Sequence, residues 1–233
     1  MLISGIQKMT LLDFPGRVSC IVFTAGCNFR CGYCHNPEFV LPEELVKLQG
    51  SFISESAVFN FLDQRQGLLD GVVVSGGEPT IMPDLPEFLE KIKAKGFLVK
   101  LDTNGNNPAM LKKLVEARIV DYVALDAKTG LSQYKSLAGD RANHALVDES
   151  AQFLKNGVVP YEFRTTLVKE LHTPEVLAEL KKLVSGADSL FLQQFRSART
   201  LDPLFENYTS FTLDEMKEIA RDFSSVVKTV GIR

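Results

Sequence analysis

Six short apolar runs alternate with six segments of helical period along 233 residues, and no linker, repeat or low-complexity stretch interrupts them. Strand–helix alternation of this kind predicts an α/β fold with a parallel sheet. Six units are too few to close an eight-fold barrel. The expected architecture is therefore a single-domain, partial (β/α)6 TIM-like barrel, open on one side and spanning residues 1–233. With 45% hydrophobic and 24% charged residues, the chain can bury one full core.

The first strand is expected over 18–25, in Val18-Ser19-Cys20-Ile21-Val22-Phe23. It leads into a cysteine-rich loop over 26–36, and residues 36–53, with Pro37, Pro42 and Gly50, read as extended loop. Ser54 is a candidate N-cap for a helix over 54–69. Gly71-Val72-Val73-Val74 has the continuous apolar character of a buried parallel strand. Leu85, Phe88, Leu89 and Ile92 stand at helical spacing within 84–95, and Gly96 lies where a C-cap belongs. Phe97-Leu98-Val99-Lys100-Leu101 is the third strand, 108–118 a helix opened by Pro108, and 121–125 the fourth strand. Helices over 145–156 and 174–185 flank a strand at 161–168. A strand at 189–195 and a helix at 212–226 complete the series, and Val230-Gly231-Ile232 can add a last strand. The irregular stretch 196–211 is expected to form a lid or a partner-docking surface.

The cysteine loop carries the sharpest signal. Cys27, Cys31 and Cys34 follow a Cys-x3-Cys-x2-Cys spacing, with Tyr33 just before the last cysteine. Electron-transfer clusters normally take four protein thiolates. A three-cysteine cradle leaves one iron open to a ligand that is not protein. A zinc site from Cys27, Cys31, Cys34 and His35 is disfavoured, because adjacent Cys34 and His35 reach one tetrahedral ion with difficulty and structural zinc ligands come as separated pairs. Cys20 sits in an apolar run and reads as a small buried strand residue. Four cysteines in a chain of this length do not make a disulfide scaffold.

Chemistry in parallel α/β barrels gathers at the C-terminal ends of the strands. Polar groups stand there after one expected strand after another: Ser75-Gly76-Gly77-Glu78-Pro79-Thr80, Asp102-Thr103-Asn104-Gly105, Asp126-Ala127-Lys128, Arg164-Thr165-Thr166 and Gln193-Gln194-Phe195-Arg196. Each alone is an ordinary turn or a solvated pair. Their coincidence at one rim with a three-cysteine loop is harder to dismiss.

A net charge of −3 points to no nucleic-acid or membrane partner. No run approaches the ~18 apolar residues of a membrane span. No basic segment followed by an apolar stretch marks a secretory signal. An oxygen-labile thiolate site belongs in a reducing compartment, so the cytoplasm is the expected location.

The cysteine loop, the Gly76-Gly77-Glu78 turn and the short barrel resemble the radical S-adenosylmethionine superfamily. Leu12-Asp13-Phe14-Pro15-Gly16, the continuation His35-Asn36-Pro37, Asp102-Thr103-Asn104-Gly105 and Asp126-Ala127-Lys128 narrow the likeness to the glycyl-radical-enzyme activases. Among these the chain most resembles the longer form of anaerobic ribonucleoside-triphosphate reductase activating proteins. The resemblance implies that Cys27, Cys31 and Cys34 hold a [4Fe–4S] cluster whose open iron chelates S-adenosylmethionine. It places Gly76, Gly77 and Glu78 at the methionyl ammonium, and Lys128 and Arg164 at the methionyl carboxylate and sulfonium. Asp102, Thr103 and Asp126 match a site for the carboxylate and a cation, of monovalent type. Tyr33 is implied to pack against adenine, with a core position as its plain alternative, and His35 lies close to the cluster.

Reduction of the sulfonium would release methionine and a 5′-deoxyadenosyl radical that takes a glycine Cα hydrogen from a partner protein. No catalytic acid or base beyond the cluster and S-adenosylmethionine is implied, and the reductant would be a low-potential donor such as flavodoxin or ferredoxin. Pyruvate formate-lyase activases carry Asp-Gly-Pro-Gly where this chain has Phe14, and a histidine where it offers Arg196. Asp13, Phe14, His35 and Arg196 are therefore candidate partner contacts. A pyruvate formate-lyase activase, a small-molecule enzyme of the 7-carboxy-7-deazaguanine synthase type, and a non-enzymatic zinc or electron-transfer module are the competing readings.

Overall fold

The apolar runs fold as strands and the helical-period segments as helices. The computed structural model describes all residues from 1 to 233. Its strands are β1 (Ile3–Thr10), β2 (Ser19–Thr24), β3 (Gly71–Gly76), β4 (Leu98–Thr103), β5 (Tyr122–Asp126), β6 (Tyr161–Leu167), β7 (Ser189–Gln194) and β8 (Thr229–Ile232). The helices are α1 (Pro42–Lys47), α2 (Glu55–Asp63), α3 (Leu85–Ala94), α4 (Pro108–Glu116), α5 (Tyr134–Ala138), α6 (His144–Lys155), α7 (Pro174–Val184) and α8 (Leu213–Phe223). Six of the strands, β2 to β7, are the six expected, and β8 is the added last strand.

The chain divides into two compact units. The first comprises Met1–Asn28, Glu38–Thr103 and Ala109–Val123, and the second Phe29–Pro37, Asn104–Pro108 and Ala124–Arg233. In the first unit β1 runs antiparallel to β2, while β2, β3 and β4 are parallel, with Cys20 opposite Val72 and Val73 opposite Lys100. In the second, β6, β7 and β8 are parallel, with Thr165 opposite Leu192 and Leu190 opposite Val230. Strands lie in the sheet in sequence order within each unit. The core of the first unit includes Val22, Val72, Val74, Phe88, Leu89 and Leu101, all at most 1% exposed. That of the second includes Leu154, Phe163, Leu180, Leu190, Leu192 and Phe223, all fully buried. Each such side chain contributes about 1.5–3 kcal/mol relative to exposure.

Caps account for the helix starts. The Ser54 hydroxyl accepts the Ala57 N–H at 3.2 Å, as expected for an N-cap. Thr212 and Glu215 form a reciprocal capping box on α8. Helix α2 ends at Asp63, short of the expected residue 69, and turns carry the chain on to β3.

Three elements escape the periodicity. Strand β1 has only its two end residues buried, so its alternation is weak; pairing with β2 and an Ile3–Ile53 bridge hold it in place. Helix α1 lies inside the stretch expected to be extended and has no buried residue to announce it. Helix α5, with Tyr134, Leu137 and Ala138 buried, spans only five residues, too few to show a period.

Candidate functional site

In the first unit, the exit of β3 presses on the backbone that enters Cys27. The Gly77 N–H donates to the Thr24 carbonyl at 2.8 Å, and the Glu78 N–H to the Gly26 carbonyl at 2.8 Å. Gly76 has φ +117°, and a Cβ there would stand 2.3 Å from the Thr24 nitrogen; one on Gly77 would stand 2.0 Å from the Gly26 oxygen. Only glycine fits either position. These glycines thus set the approach of β3 to the cysteine segment, a role that spacing alone did not reveal.

Glu78 is 1% exposed, and its Oε1 accepts from the Thr80 N–H at 3.1 Å, the Thr80 hydroxyl at 2.5 Å and the Thr103 hydroxyl at 2.7 Å. The structure therefore joins two of the expected site residues, Glu78 and Thr103. Asp102, beside them on β4, accepts from the Lys100 ammonium at 2.6 Å. Lys100 was not among the expected site residues, although a lysine in an otherwise apolar parallel strand was a visible signal. Cys27 is half-buried, and Cys20 is fully buried on β2, where burial pushes its thiol up to about 12.

In the second unit, Cys31 and Cys34 are joined by a tight turn in which the Cys34 N–H donates to the Cys31 carbonyl at 2.9 Å. Burial pushes the Cys31 thiol up to about 11, opposed by the nearby Lys128 charge. The segment 199–205 straps this loop. Leu201 N–H donates to the Cys34 carbonyl at 2.8 Å, Asp202 N–H to the Gly32 carbonyl at 3.0 Å, and His35 Nδ1 lies 3.3 Å from the Arg199 carbonyl. The Phe205 ring packs so closely that a Cβ on Gly32 would lie 2.2 Å from it. Tyr33 is buried, with its ring centre 6.4 Å from that of Phe205, and His35 stacks on Phe195 at 5.9 Å. The strap falls within 196–211, the stretch expected to be a lid or docking surface, and its hydrogen bonds show what it holds.

At the end of β5, Asp126 receives Arg164 Nε at 3.0 Å and Arg164 Nη2 at 2.9 Å on one oxygen, and Lys128 Nζ at 3.2 Å on the other. Burial works against the charged carboxylate, but the guanidinium and the ammonium outweigh it and bring Asp126 down to about 2. Thr165, from the expected rim, and two residues not anticipated, Tyr134 and His172, hold this turn. The Lys128 N–H donates to the Tyr134 hydroxyl at 3.1 Å, the Thr165 hydroxyl donates to the Ala127 carbonyl at 2.7 Å, and His172 Nε2 lies 3.1 Å from the Lys128 carbonyl. Lone residues on separate elements leave no local pattern.

The expected partner contacts separate. Phe14 is only 4% exposed and packs with Ile21, Val73 and Tyr122, so its ring belongs to the core and not to a docking face. Its neighbours Leu11 and Leu12 carry the exposed apolar surface, at 65% and 81%. Asp13 is half-buried and accepts from the Thr10 hydroxyl at 2.5 Å, while His35 and Arg196 are exposed.

Cys27, Cys31 and Cys34 are free thiols, soft donors of the kind that iron–sulfur ligation takes. Residues 21–183, more than half the chain, match the Radical SAM superfamily. A Methanocaldococcus jannaschii protein named as a candidate glycyl-radical enzyme activating enzyme is 32% identical over 100% of this chain and 95% of its own length. The chain belongs to the radical SAM superfamily, among its glycyl-radical-enzyme activating enzymes. A pyruvate formate-lyase-activating enzyme of Listeria monocytogenes is 29% identical over 78% of this chain and 75% of its own. The fold is shared with Streptococcus suis SuiB bound to its precursor peptide (TM-score 0.68, 13% identity, 91% of this chain and 48% of that one). It is shared also with Escherichia coli QueE (TM-score 0.59, 13% identity, 100% of this chain and 93% of that one). The expected α/β, partial-barrel class is that of these enzymes. The family uses a [4Fe–4S] cluster and S-adenosylmethionine. No helix of this enzyme is long and apolar enough to cross a membrane.

Proposed function

We propose that this activating enzyme installs a glycyl radical on an anaerobic, class III, ribonucleoside-triphosphate reductase. One observation favours that partner over pyruvate formate-lyase. Phe14 stands where the pyruvate formate-lyase activase pattern has glycine, and it is built into the core against Ile21, Val73 and Tyr122. The N-terminal turn thus departs from that pattern, with Leu11 and Leu12 offered outward. Arg196, at the position of that pattern's histidine, is likewise exposed.

In this reading Cys27, Cys31 and Cys34 hold the cluster. A reduced cluster held by these thiolates would supply the single electron that reductive cleavage of S-adenosylmethionine needs, the chemistry by which a glycyl radical would be installed on the partner. The chain's own residues bind and orient. Lys128 and Arg164, fixed on Asp126, present positive charge to the methionyl carboxylate. The Gly76-Gly77-Glu78 turn receives the methionyl ammonium, and Tyr33, backed by Phe205, forms a wall for adenine. A flavodoxin or ferredoxin supplies the electron in the cytoplasm.

The test is EPR of candidate glycyl-radical enzymes incubated anaerobically with reduced enzyme and S-adenosylmethionine. A glycyl doublet on the ribonucleotide reductase is expected. A doublet only on pyruvate formate-lyase replaces the partner, and 5′-deoxyadenosine release driven by a small molecule alone overturns the reading. Replacing Cys27, Cys31 or Cys34 by Ala should abolish iron binding and cleavage, whereas Cys20→Ala should leave both intact.

A further inference from the structure

The cation that resemblance implies at Asp102 and Asp126 does not fit the carboxylates as the structure presents them. Asp126 already carries Arg164 and Lys128. Asp102 carries Lys100, whose Nζ lies 2.6 Å from Oδ1. Lys100 is fully buried on β4, opposite Val73, with its ammonium 5.9 Å from the centre of the Tyr122 ring. A buried ammonium needs a carboxylate partner, and a buried carboxylate needs a cation. A monovalent metal ion on that oxygen would meet a like charge already in contact with it.

We propose that the Lys100 ammonium is a built-in cation on Asp102, taking the place of a dissociable monovalent ion, so that S-adenosylmethionine binding requires no such ion. Lys100 is a positioning residue: it orders Asp102 and supplies a positive charge that cannot be washed away. It lies two residues before Asp102 on the same strand, so both side chains emerge on one face of the sheet. The ring face of Tyr122 gives the ammonium a second favourable contact. The inference rests on the reading that Asp102 lies at the S-adenosylmethionine site.

The experiment compares holoenzyme in potassium nitrate and in tetramethylammonium nitrate at equal ionic strength. Affinity for S-adenosylmethionine is read from the EPR change of the reduced cluster, and direct ion binding from broadening of the thallium(I) NMR line. Wild-type affinity should agree within about twofold between the two salts, with no thallium broadening that Asp102→Asn removes. Lys100→Met should lose about tenfold or more in affinity in tetramethylammonium, regain most of it in potassium, and acquire thallium binding. Lys100→Arg should retain salt independence. A wild-type affinity that falls tenfold without potassium, or wild-type thallium binding abolished by Asp102→Asn, overturns the proposal even if Lys100→Met does not fold. Absence of S-adenosylmethionine binding in every salt sinks the functional reading instead, and the thallium comparison still decides the role of Lys100.

Discussion

Two segments hold the cysteine-bearing backbone, and they do so by opposite means. In the first unit, Gly76 and Gly77 bring the exit of β3 against Thr24 and Gly26 at distances that exclude any side chain. In the second, the strap around Leu201 and Asp202 reaches the Cys34 and Gly32 carbonyls from far along the chain, and Phe205 fills the space beside Gly32. The first contact is made by consecutive residues at a strand end, where glycine is compulsory and therefore conspicuous. The second is made by backbone groups, which any sequence can supply. The glycine pair is therefore visible in the sequence although its bracing role is not, and the strap leaves no mark at all.

Breaking the glycine contact should have the largest effect. Gly77→Val places a branched carbon against the Gly26 oxygen, and relief requires backbone movement next to Cys27. Destabilisation of about 3 kcal/mol is expected, with reduced iron content after anaerobic reconstitution. A variant with normal iron content and melting temperature but weakened S-adenosylmethionine binding would return Gly77 to the purely ligand-facing role first expected for it.

The strap offers a sharper test because its two partners can be varied together. Gly32→Ala drives a methyl into the Phe205 ring and should cost about 1–3 kcal/mol. Phe205→Ala should cost about 3 kcal/mol through lost packing. In the double variant the alanine methyl occupies vacated space, so denaturant unfolding should show less destabilisation than the sum of the singles. Strict additivity would mean that the ring and the glycine do not bear on one another.

The smallest effect concerns pH. Burial lowers the His172 imidazole below its ordinary 6.5, against carbonyl contacts from Val168 and Lys128 that favour the proton. The unfolded chain then binds the proton more readily than the folded one. The stabilisation is complete above about pH 6.5 and declines as pH falls toward the lowered folded value, by at most about 1.4 kcal/mol per pH unit. His172→Gln should flatten the slope of unfolding free energy between pH 7 and 5. An unchanged slope would assign it to other groups.

Local spacing determined much of this protein. The six expected strands, the Ser54 cap, the cysteine loop and the Gly76-Gly77 turn were legible because each depends on neighbours within a few residues. β-Branched runs bury themselves in a parallel sheet, and a three-cysteine spacing has few other uses. Tertiary structure alone decided that Phe14 is core, that His172 and Tyr134 fix the Lys128 turn, and that residues 199–205 hold the cysteine loop. These contacts join strands and loops through single hydrogen bonds or one ring face. Burial turns such contacts into strong constraints, because a polar group withdrawn from water must find its partner wherever the fold places it.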